Sequence, residues 1–185
     1  LSLTLSFFLV ICMAKAQFYK SVLPSPAFSD SLNRIVKDYC FNYHKIQGEA
    51  LEMQEQVDVY SSKASIPGAK ETFIYRFHSV EDTTASWQAV MYKGENYKEA
   101  AKVYKNTFML VNKTKLHFGE SEAGSFLGIM QEPTEELRFT SSLLRANSNN
   151  AMYKNFIANI DLINTMDGWE VRLSLSRKRE DTEKY

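Results

Sequence analysis

The chain has 185 residues and equal numbers of basic and acidic side chains, 22 each, so its formal net charge is zero. No cationic excess is available to neutralise a phosphate backbone, which sets nucleic-acid binding aside. The length is that of one ordinary domain, and the 13% of aromatic residues can supply a core without cross-links.

From Leu3 to Met13 the chain is apolar except for Thr4 and Ser6. A membrane-spanning helix needs roughly 20 apolar residues, so this run is too short to span, but it fits the h-region of a secretory signal. Ala14-Lys15-Ala16 follows, a small-x-small triplet of the kind signal peptidase accepts. Residues 1–16 are therefore expected to be a signal peptide cut before Gln17, giving a periplasmic or extracellular protein with no membrane span. A buried N-terminal helix or strand is the competing reading. Cleavage would remove Cys12 and leave only Cys40, so no intramolecular disulfide is expected. A lone thiol in an exported chain suggests a buried thiol or an intermolecular bridge, and burial as a small hydrophobe is the expectation here.

Residues 17–28 hold Pro24 and Pro26 and read as an extended lead-in to a single domain over 29–178. Ser29 or Asp30 can cap a first helix, in which Leu32, Ile35, Val36, Tyr39, Tyr43 and Ile46 recur at helical spacing before Gly48. From Val57 the period drops to two. The stretches "VDVYSSKAS" and "ETFIYRFHS" read as strands joined through a Pro67-Gly68 turn, and "SWQAVMY" reads as a third. Asn96, with Glu99 three residues on, opens a second helix whose inner stripe is Tyr97, Ala101, Tyr104, Phe108 and Val111. Residues 116–133, with Gly119, Gly124 and Gly128, read as a loop holding one short strand. Three more strands follow: "ELRFTSSLLR", "NFIANIDLIN" and "GWEVRLSLSR". The last two meet at Met166-Asp167-Gly168, a hairpin turn, and residues 179–185 form a charged tail.

The order α-β-β-β-α-β-β-β predicts an α+β two-layer sandwich, an antiparallel sheet of about six strands with both helices on one face. Phe73, Tyr75, Phe77, Trp87, Phe139, Phe156 and Trp169 are expected to point at the helices. The open face would then carry Thr72, Ile74, Arg76 and His78, then Gln88, Val90 and Tyr92, then Arg138, Thr140, Ser142 and Leu144. Ile157, Asn159, Asp161, Ile163, Glu170, Arg172 and Ser174 complete it. A face so mixed in character suggests a binding surface, with Arg76, His78, Tyr92, Glu170 and Arg172 as its candidate ligand- or partner-binding residues.

Catalytic signals are sparse. His44, His78 and His117 have no second His or Cys at ligand spacing, so no metal is expected. No phosphate-binding or dinucleotide fingerprint occurs, so no cofactor is expected either. Cys40 and His44 stand four apart on the predicted first helix, as a thiolate and its base would, but a mid-helix thiol lacks the N-terminal dipole that activates one. These features predict an exported, non-catalytic binding or interaction protein of the cell envelope or exterior, serving a protein partner or a small ligand. Self-association through the open sheet is a further expectation. The alternative is a small secreted hydrolase whose residues, His117 and Glu120 first, are gathered from 116–133 and the strand ends.

Overall fold

In the computed structural model, which describes residues 22–78, 84–118 and 122–178, the first helix, α1 (Pro26–Tyr39), starts three residues before Ser29. Ser25 is its cap, accepting from the Phe28 amide at 3.2 Å. Pro26 takes the first helical position, where its missing N–H loses no bond and its φ is preset. Pro26 to Phe28 thus belong to the helix and not to an extended lead-in. The expected signal peptide (1–16) and tail (179–185) lie outside the described residues.

Helix α1 ends well short of Ile46, in a turn where Asn42 and Tyr43 take φ of +52° and +59°. Left-handed backbone costs a residue with a side chain roughly 1–2 kcal/mol, and Asp38 offsets that strain. Its carbonyl accepts from the Phe41 and Tyr43 amides, and its buried carboxylate accepts from the Ile46 amide at 3.1 Å. The Tyr43 hydroxyl, buried in turn, donates to the Leu175 carbonyl at 3.0 Å. Tyr43 and Ile46 do reach the core, but from a turn and not from a helix.

The remaining elements in chain order are β1 (Gln47–Met53), β2 (Val57–Ser62), β3 (Glu71–Phe77), β4 (Ala85–Gly94), α2 (Tyr97–Lys113), β5 (Leu116–Phe118) and β6 (Glu122–Gly128). After them come β7 (Phe139–Asn147), a 3-10 turn at Ala151–Tyr153, β8 (Phe156–Thr165) and β9 (Gly168–Arg177). The strands form one antiparallel sheet ordered β1-β2-β3-β4-β9-β8-β7-β6-β5. The α+β class and the antiparallel sheet therefore hold. The count of six strands and the order α-β-β-β-α-β-β-β do not, because β1, β5 and β6 add to the predicted set.

Strand β1 is an edge strand whose side chains are half-buried or exposed, so no alternation marks it. The supposed loop at 116–133 is largely the β5–β6 hairpin. Strand β6 pairs with β5 up to Gly124 and with β7 from Ser125 onward. Glycine is needed at that handover, since a Cβ on Gly124 would lie 2.5 Å from the Asn147 carbonyl oxygen.

Both helices pack on the same sheet face. Leu32, Ile35 and Val36 of α1 and Tyr104, Phe108 and Val111 of α2 share one core with Trp87, Phe156, Ile160 and Leu173. Tyr39 stacks on Phe156 with ring centroids 4.1 Å apart. In β8, in β9 and in β4 up to Val90, the side chains point as their alternation predicts, with Trp87, Phe156 and Trp169 inward.

Two strands are turned over. The register pairs Ile74 with Trp87 and Phe73 with Gln88, so Thr72, Ile74 and Arg76 face the core side while Phe73, Tyr75 and Phe77 face out. In β7, Thr140, Ser142 and Leu144 lie opposite Leu162, Ile160 and Ala158, whereas Phe139 is 57% exposed on the open face. What covers each strand explains the reversal. Over β3 the cover is the 40–46 turn, whose Asn42 carbonyl accepts from Arg76 Nη2 at 2.9 Å, so an arginine can face inward. Over β7 the cover is α2 and the segment after β6. The Tyr104 hydroxyl bonds Ser142 Oγ at 2.5 Å and the Gln131 carbonyl at 3.2 Å, while Ser142 Oγ accepts from the Gln131 amide at 2.8 Å. A buried hydroxyl is tolerated where it has partners, as that of Ser142 does, whereas Thr140 Oγ1 is buried with no hydrogen-bond partner among the described residues.

Replacing Ser142 with alanine strips the Gln131 amide of its acceptor and should destabilise the protein by about 1–3 kcal/mol, whereas Arg145→Ala on the open face should change stability by less than about 0.5 kcal/mol. Urea unfolding of the two variants checks this. Equal effects would contradict the inward placement of Ser142.

Candidate functional site

The open face is best formed where β3, β4, β9 and β8 lie side by side. Their register sets Tyr75 beside Ser86, Phe73 beside Gln88, Gln88 beside Ser174, and Ser174 beside Asn159. Next to these rows, Arg172 stands between Val90 and Asp161. The central strands thus present small or hydrogen-bonding side chains while β3 raises aromatic rings beside them. The difference in height leaves a depression of about 500 Å³, lined by Tyr75, Phe77, Thr84, Ser86, Gln88, Ile157, Asn159, Arg172, Ser176, Arg177 and Lys178.

Several of these groups are held in place. Gln88 donates to the Tyr75 hydroxyl at 3.5 Å and accepts from Ser174 Oγ at 3.3 Å. Arg172 donates through Nε to the Glu170 carboxylate at 2.5 Å, and Glu170 is buried. That bond outweighs burial, which acts the other way, and holds the Arg172 guanidinium above its usual range. Among the described residues the terminal nitrogens of Arg172 have no hydrogen-bond partner. Burial pushes the Tyr75 phenol up, with Arg172 opposing. Burial likewise raises the Asp161 carboxyl, against a 2.5 Å hydrogen bond from Ser141 Oγ and the charge of Arg172.

The five residues singled out from the sequence do not form one site. Glu170 and Arg172 stand together on the open face. Arg76 lies on the covered side, tied to Asn42 and Gln47, and burial pulls its guanidinium below the usual range. His78 follows the end of β3, exposed, with Nε2 3.3 Å from Asp58 Oδ1. Tyr92 is carried to the helix side by a register shift after Val90, and its hydroxyl donates to the Asn96 carbonyl at 3.3 Å. Tyr75, Phe77, Ser86 and Ser176 were the residues that alternation alone passed over. The signal for them was the small polar series of "RLSLSR" in β9, one strand removed, across β4, from a strand carrying three rings.

Other expectations also shift. Helix α1 ends before Cys40, so Cys40 and His44 do not share a helix face, and Cys40 is half-buried, not buried. His117 is exposed on β5, at the sheet edge remote from β3, and Glu120 lies outside the described residues. Among the described residues no group of three or more His, Cys, Asp and Glu is placed to hold a metal ion. No helix among them is long and apolar enough to cross a membrane.

Asp161 gives this face a pH signature. A carboxyl raised by burial favours its protonated form in the fold, so its stabilising contribution is present in acid and is lost as pH rises through the folded value. Asp161→Asn cannot ionise, and its urea midpoint should gain on the unmodified protein between about pH 3 and pH 7. A gap that is constant or narrows with rising pH would contradict the assignment.

No protein-family model matches the chain, and no curated protein or solved structure is significantly similar to it.

Proposed function

We propose that the chain is an exported, non-catalytic binding protein of the cell envelope or exterior, and that it holds a small ligand on the open face of its sheet. The observation that carries this reading is the depression of about 500 Å³ over β3, β4, β9 and β8. Its volume lies within the range of small-molecule sites, and it combines aromatic walls with a few fixed polar groups, as such sites do. Central strands hold side chains more firmly than loops, so Gln88, Asn159 and Arg172 are presented in preset positions. Both donors and acceptors are available there, from Ser86, Gln88, Asn159 and Ser176. Export is supported by the Leu3–Met13 run and the Ala14-Lys15-Ala16 triplet.

The test is a fragment screen by ligand-observed NMR on the unmodified protein and on Ser176→Trp, a half-buried position where an indole would fill the depression. Fragments should bind the former and lose most of their signal with the latter, while the variant keeps its fold by circular dichroism. Fragments that bind both proteins alike, or a screen with no hits, would refute the proposal.

A further inference from the structure

We infer that the ligand is an organic anion, a carboxylate or its sulfonate equivalent carried on an apolar ring-sized body, with its charge at Arg172 and its body against Tyr75 and Phe77. This rests on the reading of the depression as a ligand site and specifies what that site selects.

Charge is the first argument. Among the described residues the lining includes the cations Arg172 and Lys178, with Arg177 at the end of β9 on the register of the covered side, and no acidic residue, in a chain whose overall charge is zero. A cationic ligand would meet like charge, and a neutral one would leave these groups unused.

The setting of Arg172 is the second. Glu170 takes its Nε, which fixes the guanidinium plane, and leaves the terminal pair without a partner among the described residues. A planar fork with two parallel donors matches the two oxygens of a carboxylate. Glu170 does not line the depression itself, so it orients the arginine without occupying the place of the ligand.

The walls supply the third. Tyr75 and Phe77 are half-buried, Ile157 is buried, and Phe73 braces Tyr75 edge-on with centroids 6.3 Å apart. An inorganic ion would gain nothing from these surfaces, whereas a ring would bury apolar area on them and stack with the phenol. The floor of Ser86, Gln88, Asn159 and Ser176 can then bond polar substituents of the ring.

The experiment compares 2-naphthoate with 2-naphthamide, the same ring system with and without the charge, by amide chemical-shift titration of the purified protein. Both should shift Gln88, Asn159 and Ser174, and the acid should bind about tenfold more tightly, as expected for a charge-assisted bond in a partly buried site. In Arg172→Gln the preference should fall to about two- or threefold, with amide signals remote from β9 unchanged. Lys178→Gln, which alters only the rim, should keep the fold even if the first variant does not, and should reduce the preference by about twofold. Equal affinity for acid and amide, with shifts at the three residues, would overturn the charge inference and leave the site standing. No shift at those residues with either compound would overturn the site and the inference together. A preference that survives both variants would also overturn the assignment to these cations.

Discussion

The structure depends on covering one face of a sheet that the two helices among the described residues cannot cover. Nine strands at about 4.8 Å spacing make a sheet roughly 38 Å across, whereas two helices lying side by side cover roughly 20 Å. Among the described residues the rest of the cover is irregular chain. The 40–46 turn drives Tyr43 over β9, the loop after β2 buries Ala64 and Ile66 beside Trp87, and the segment after β6 lays Gln131 over Ser142. Irregular chain brings backbone polar groups with it, and these need partners when buried. That is why inward positions of the sheet include Arg76, Ser142 and Ser62, the last accepting from Trp87 Nε1 at 3.0 Å.

The same constraint separates what could be read in the sequence from what could not. Strand β9 begins and ends as alternation predicts, and Asn96 caps α2 through the Glu99 amide at 3.2 Å. These elements lie at the centre of the sheet or under regular cover, where one apolar face is enough to define them. At β3 and β7 the rule that large apolar residues point inward fails, since the cover there uses an arginine, Arg76, and the Ser142 hydroxyl as hydrogen-bond partners. Phe139 and Leu143 are left on the open face instead. Edge strands escape detection for a related reason. Strand β1 buries neither face, and β5 has three residues, too few to show a period. The start of α1 was legible in principle, because Ser25-Pro26 is a cap followed by a first-turn proline.

The candidate site was half legible. Glu170 and Arg172 were placed correctly because β9 was, and they proved to be an ion pair beside the depression. The aromatic wall was lost with the orientation of β3, since rings assigned to the core cannot also line a surface. Tyr92 was lost to a register shift that no pattern of period two can foresee. Among the described residues a single layer of helices is also what leaves the opposite face uncovered. Side chains there are not required for the core, so small residues can stand next to large ones and shape a depression. Arg172 and Asp161 remain partly buried on that face without packing against a helix.

Hydroxyl-radical footprinting with mass-spectrometric readout tests the covered-and-open division most directly, because it scores every ring in one experiment. Phe139 and Phe77 should be oxidised readily, while Tyr43, Tyr104 and Phe156 stay protected until the protein unfolds. Protection of Phe139 and Phe77 equal to that of Phe156 would mean that β3 and β7 face the other way, and both the cover and the site would have to be abandoned.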